Sequence, residues 1–183
     1  AGRFAEALEH FDKALVRVPD DGRVLYYKGL ALRFLDRPED ARYYLRHAGR
    51  FGYEAPERLA EAELAIRGGD LRQADRHLAR AVAVHGTVAR GYVLRALVQN
   101  RLGDGAAARR LIGQALALDS ENSLVLSARA ALDGGQGPAA DLVRARYREF
   151  SEEPLEAVAL LYSAGLYAEA YTILGLIENN NPV

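Results

Sequence analysis

The apolar positions along the chain recur in one fixed block. Each block has a turn residue, an apolar residue two positions later, and then alanine, a large apolar residue and alanine at spacings of four and three. These spacings place the last three side chains on one face of a helix. The alanines that open the blocks follow one another at intervals of about 34 residues, with a further copy after two shortened repeats: Ala7, Ala41, Ala74, Ala108 and Ala170. The chain is therefore expected to be an array of repeats.

A second helical stretch with its own small central residue lies between successive blocks. The small residues are Gly29, Ala62, Ala96 and Ala130. Helix-stop and helix-start signals such as Pro19-Asp20-Asp21-Gly22 separate the stretches, and no segment shows strand alternation. The pattern predicts eleven helices, over residues 3–17, 22–35, 38–50, 55–67, 71–84, 89–102, 105–117, 122–133, 138–151, 154–164 and 167–178.

The repeat resembles the tetratricopeptide repeat, a helix–turn–helix unit with small residues at fixed places and a closing proline. The first block carries the resemblance most fully, at Gly2, Phe4, Ala7, Phe11, Ala14, Leu15 and Pro19. The resemblance implies an all-α, right-handed superhelical solenoid of antiparallel helix pairs, with about six repeats in one domain, residues 1–183. The expected repeats are 1–21 (a second half only), 22–54, 55–88, 89–122, 123–153 and 154–183.

Two copies depart from this pattern. In the third repeat Leu59 is one place out of register and Gly86 replaces the proline; in the fifth, Gly134 to Pro138 interrupts the array and Arg144 stands near a large apolar position. A fainter resemblance, at Gly29 to Arg33 and Gly165 to Tyr167, is to the repeat region of large bacterial proteins with a separate domain of unknown function. The missing initial methionine suggests a piece of a longer protein.

Composition narrows the possible chemistry. The 183 residues carry a net charge of −1 and include no cysteine, which excludes disulfides, thiol nucleophiles and cysteine-ligated metals. No apolar run is long enough to span a membrane, and the charge balance does not suit a nucleic-acid module. The partners expected are therefore proteins or peptides, without nucleic acid or membrane. No signal assigns a compartment, so the cytoplasm is the default.

We found no constellation typical of an enzyme. None of the histidines, which are His10, His47, His77 and His85, has metal-ligand spacing. The glycine-rich Gly134 to Gly137 lacks the lysine and the preceding strand of a phosphate loop. Glu57, Glu61 and Glu63 cluster near the start of one helix, where negative charge favours the helix dipole. The sequence therefore predicts no catalysis, no cofactor and no metal.

Arginine is the most uneven feature, since Lys13 and Lys28 are the only lysines among 24 basic residues. In the proteins that the sequence resembles, the first helix of each repeat lines a concave groove. The corresponding residues here are Arg23, Tyr26, Leu30, Arg33, Phe34, Glu63, Arg67, Arg90, Leu97, Asn100 and Arg101. Arginines between apolar side chains suit a peptide with acidic and apolar residues. Two alternatives remain: Glu63 can hold one arginine in an internal pair, or the arginines are solvated surface.

The function expected is a scaffold that binds a peptide segment or a sister domain in this groove. One alternative is a non-catalytic regulatory or substrate-positioning arm of a larger enzyme. Another is self-association through the array ends, because the apolar faces of the first and last helices lack a neighbour in the sequence. Those faces carry Phe4, Ala7, Phe11 and Ala14 at one end and Tyr167, Ala170, Leu174 and Ile177 at the other.

Overall fold

A computed structural model describes residues 2–84, 89–149 and 152–178, which include no strand. The helices are α1 Gly2–Arg17, α2 Gly22–Phe34, α3 Pro38–Arg50, α4 Glu54–Arg67, α5 Leu71–Val84, α6 Ala89–Arg101, α7 Gly105–Leu118, α8 Ser123–Leu132, α9 Gly137–Glu149, α10 Glu152–Ser163 and α11 Tyr167–Glu178. Over these described residues, the prediction of an all-α fold with eleven helices is confirmed. The predicted features at His85, Gly86 and Pro182 lie outside the described residues.

The first helix of each repeat ends in the same way. The backbone N–H that follows the turn donates to a carbonyl five residues earlier, as in Asp70 to Ala65, Asp104 to Gln99 and Leu166 to Leu161. This bond closes the last helical turn when the residue between adopts a left-handed conformation. Glycine supplies that conformation after α4, α6 and α10, whereas Asp36 supplies it after α2. The turn signals in the sequence therefore act as helix caps.

The chain divides into two compact units. Unit 1 comprises Ala1–Leu64 with Arg76–Gly86, and unit 2 comprises Ala65–Asp75 with Thr87–Val183. Both α4 and α5 contribute residues to each unit. The buried clusters lie within the units: Leu32, Leu45 and Leu64 belong to one in unit 1, and Leu126 and Ile173 belong to one in unit 2.

The repeated block forms the core, as its spacing predicts. Its three members are buried in each of the three central copies, Ala41-Leu45-Ala48, Ala74-Leu78-Ala81 and Ala108-Ile112-Ala115. Gly29 of α2 lies directly against Leu45 of α3, so that a Cβ atom at Gly29 would be 2.7 Å from the Leu45 Cγ. Small residues on one helix thus admit large residues of the next, which sets how closely the pair packs.

The two ends of the array differ. In α1, Ala7, Phe11 and Ala14 are only half-buried and Phe4 is exposed. In α11, by contrast, Ala170 and Ile177 are buried. The predicted open face of α11 is partly covered: Ile177 packs with residues of α8 and α9 within unit 2, whereas Leu174 is half-buried and Tyr167 is exposed.

The fifth repeat forms both helices in spite of its interrupting glycines. Val143 takes the core position and is buried, while Arg144 next to it points back to the turn. The Arg144 guanidinium donates to the Gly135 carbonyl at 3.3 Å and to Asp141 at 2.8 Å. A shift of one residue in register thus keeps an apolar side chain in the core.

We expect Gly29→Ala to destabilise the protein by about 1–3 kcal/mol, because the new methyl group overlaps Leu45 although alanine favours the helix. The matched control is Gly113→Ala in α7, where nothing lies within 4 Å of the added Cβ and a gain of up to about 1 kcal/mol is expected. Urea unfolding of both variants measures the difference. Equal effects of the two substitutions would contradict this packing.

Candidate functional site

Six of the candidate groove residues belong to unit 1, five of them on α2. Arg23 and Phe34 are exposed, while Tyr26 and Leu30 are half-buried. The Phe34 ring stacks on Phe4 of α1 with centroids 4.8 Å apart. Sequence analysis did not assign Phe4 to this surface, because a contact between two helices leaves no local signal along the chain.

Tyrosines extend this aromatic surface. Tyr26 stacks on Tyr53 at 5.6 Å between centroids and meets Tyr27 edge-on at 5.5 Å. Tyr27 is half exposed and lies one helical turn from Arg23. The exposed part of α2 therefore presents a cation followed by aromatic rings.

Arg33 is not on this surface. Its guanidinium pairs with the Glu63 carboxylate of α4, and both side chains are almost fully buried, at 7% and 2% exposure. The charge of Arg33 is therefore neutralised inside unit 1, where it joins α2 to α4. Glu63 holds an arginine, which is the internal alternative that the sequence left open.

The other five candidates belong to unit 2. Leu97 is fully buried and contributes to the core, while Arg67 and Asn100 are exposed and Arg90 is half-buried. Arg101 forms a two-pronged contact with Glu169 of α11: Nε donates to Oε1 at 2.9 Å and Nη2 donates to Oε2 at 2.5 Å. Glu169 of the last helix thus binds Arg101, which the sequence predicted to contact a ligand.

A cleft of about 890 Å³ opens in unit 2 beside the N-terminal ends of α6, α8 and α10. Arg90 and Arg146 line it together with Glu121 and Glu156. The Arg146 and Glu121 side chains are 3.9 Å apart. Asp119 adds a third carboxylate, so the cleft is lined by charges of both signs.

Two further carboxylates of α4, those of Glu57 and Glu61, are buried in unit 1. Glu61 accepts from Arg46 Nε at 3.3 Å and lies 3.7 Å from Arg42 Nε. Glu57 lies 3.2 Å from Arg58 Nε and packs against Gly49 of α3. The pair links α3 to α4, so the acidic cluster noted in the sequence has a packing role beyond the helix dipole.

Burial changes the pKa values of Glu57 and Glu61. It raises the pKa of Glu57 to about 7 and also raises the pKa of Glu61, although the nearby arginines oppose both shifts. Burial lowers the pKa of His77, and Arg58 and Arg46 lower it further. No group of His, Asp and Glu within the described ranges has an arrangement that could hold a metal ion. No described helix is both long enough and apolar enough to cross a membrane.

We expect Glu57→Gln to stabilise the protein by about 1–3 kcal/mol at pH 8. The folded-state pKa of Glu57 lies above its unfolded value, so its contribution to stability is complete below about pH 4.5 and disappears as the pH rises through 7. Thermal unfolding from pH 5 to pH 8 should show the variant's advantage growing with pH. The control, Glu54→Gln, changes an exposed residue of the same helical turn; a similar pH-dependent gain there would contradict the assignment.

Comparison with known proteins defines the fold. Two solved structures of MamA match the chain with TM-scores of 0.59 and 0.58 and 16% sequence identity each. The alignments cover 98% of this chain and 89% and 83% of the two MamA chains. At this identity the likeness concerns the fold alone, and it confirms a helical-repeat array. No family model matches the sequence, and no curated protein matches it.

Proposed function

We propose that this chain is a protein-interaction scaffold of the tetratricopeptide type, which binds a peptide segment or a sister domain on the first helices of its repeats. The observation that carries the proposal is the exposed face of α2, which presents Arg23 and Tyr27 near its first residue and Phe34, stacked on Phe4 of α1, at its last. Solvent-exposed rings grouped beside an arginine are typical of protein-binding surfaces.

The chemistry of this surface favours an acidic, apolar ligand. Tyr27 and Phe34 are each about half exposed, at 50% and 51%, and neighbouring contacts hold their rings. Rings that are already ordered lose little conformational entropy when a partner covers them. The Arg23 guanidinium can donate a two-pronged hydrogen bond to a carboxylate of the ligand.

The internal pairs of the arginines refine the candidate site. Arg33 and Glu63 support this surface from inside unit 1 through their buried pair, whereas Leu97 is a core residue of unit 2. The residues that we assign to the ligand surface are Arg23, Tyr26, Leu30 and Phe34, all on α2 of unit 1.

We expect peptides that alternate acidic and large apolar residues to bind the chain, with an affinity that falls as salt rises. The experiment selects such peptides from a displayed library on the wild-type chain and measures their binding by fluorescence anisotropy. Arg23→Glu should weaken binding about tenfold, because the substitution replaces an attraction by a repulsion.

The matched control is Arg109→Glu, which makes the same charge change at an exposed position of α7, a second helix of its repeat. Circular dichroism establishes that both variants remain helical. Selected peptides that tolerate Arg23→Glu, or that lose equal affinity with Arg109→Glu, would overturn the assignment of this surface.

A further inference from the structure

The last helix pair touches parts of the array that are distant in repeat order. Gly165, in the turn between α10 and α11, packs directly on Arg67 at the end of α4. Arg67 belongs to the repeat at 55–88, whereas Gly165 belongs to the repeat at 154–183. In an array whose repeats contact only their neighbours, these residues would not meet. The α10–α11 turn therefore contacts the end of α4, a contact that lies within unit 2.

Two polar contacts hold the turn at the end of α6. The Arg101 guanidinium donates hydrogen bonds to both carboxylate oxygens of Glu169. Glu169 lies 68 residues further along the chain, in the first turn of α11. The third Arg101 nitrogen, Nη1, donates to the Gly165 carbonyl at 3.4 Å. One arginine thus recognises a carboxylate and the backbone that precedes it, which makes the contact specific in direction as well as charge.

Position 165 admits little other than glycine. Its φ is +83°, and an added Cβ would be 2.9 Å from the Arg67 Cγ and 3.3 Å from the Arg67 Cα. The backbone of the turn can approach α4 this closely because no side chain stands between them. The α10–α11 turn therefore requires glycine at position 165 to pack against Arg67.

The remainder of α11 supplies the apolar part of the contact. Ile173, Leu176 and Ile177 join the buried cluster formed by α8 and α9. These residues lie one and two helical turns after Glu169. The opposite side of α11 exposes Tyr167 and Tyr171, at 45% and 63%. The helix is thus an amphipathic segment with an acidic first turn, seated on a basic and apolar surface.

We propose that the surface formed by Arg67, Arg101 and the α8–α9 cluster is a docking site for an amphipathic helix with a carboxylate in its first turn, and that α11 is its resident, displaceable ligand. The partner that fits carries Glu or Asp followed, one and two turns later, by branched apolar residues. This inference rests on the proposed binding function, because it describes how α11 occupies one binding site of the array and how a partner helix replaces it.

The polar part of the contact is open to solvent, whereas Ile173 and Ile177 bury its apolar part. The Arg101 and Glu169 side chains are 27% and 11% exposed, so water and salt reach the pair and weaken it. The resident helix is tethered to its site, which gives it a high effective concentration. An outside helix therefore binds only in proportion to the fraction of chains in which α11 has left the site.

The experiment uses the full chain and a fluorescent peptide with the sequence of residues 164–178. Glu169→Lys in the chain weakens the resident helix, while the peptide retains its own glutamate. We expect the peptide to bind this variant at least tenfold more tightly than the wild-type chain. The same peptide with Gln in place of Glu169 should lose most of this affinity, because its amide offers Arg101 only one acceptor oxygen.

Two control substitutions distinguish loss of the Arg101–Glu169 contact from a general destabilisation of the fold. Glu178→Lys makes the same charge change at an exposed position of α11 and should leave peptide binding at the wild-type level. Gly165→Ala should open the site as Glu169→Lys does, whereas Gly103→Ala should not. The two glycines have similar positive φ angles, but nothing lies within 4 Å of a Cβ at Gly103. Hydrogen exchange establishes that α6 and α7 remain protected in every variant.

The inference is overturned if the peptide binds no variant, if it binds all of them equally, or if its glutamate makes no difference. If Glu169→Lys unfolds the protein globally, Gly165→Ala is used in its place. The outcome is independent of the α2 surface. If only the proposed function fails, the library peptides ignore Arg23→Glu while the peptide of residues 164–178 still distinguishes the variants.

Discussion

The close approach of small residues on one helix to large residues on the next is the contact on which the structure depends. Gly29 against Leu45 shows it most clearly, because an added methyl group would overlap the leucine side chain. The same alternation buries the repeated block in each of the three central copies. Since the helices are short and marginal alone, this packing is what makes them stable. It also leaves the outward faces free to vary, and those faces carry the candidate binding surfaces.

Several arginines of this protein form ion pairs between helices instead of lying free on the surface. Arg33 is buried with Glu63, Arg42 and Arg46 lie over Glu61, and Arg101 holds Glu169. Each of these contacts joins two different helices, where the planar guanidinium can satisfy a carboxylate that is shielded from water. The arginines available to a partner are therefore fewer than the composition suggests, and α2 becomes the clearest surface for recognition.

The periodicity of the sequence predicted the fold because helix pairing depends on local spacing. The eleven helices, their glycine stops and the buried alanines all follow from residues close together in the chain. The candidate site was less predictable. The contacts of Phe4 with Phe34 and of Arg101 with Glu169 join residues far apart in sequence, and no local pattern encodes them. The last helix shows the same limit, because Ile177 of its predicted open face is buried among residues of α8 and α9, a contact that no local pattern encodes.

One distance tests directly whether the turn of the last helix pair packs on the end of α4. The chain has no cysteine, so spin labels can be attached at Gly68→Cys and Ala168→Cys without a background signal. Both positions are exposed, and each is close in sequence to one side of the contact between Arg67 and Gly165. Pulsed electron paramagnetic resonance should give a single narrow distribution at short distance. A broad distribution at long distance would contradict the account, because the last pair would then extend away from α4 and α6.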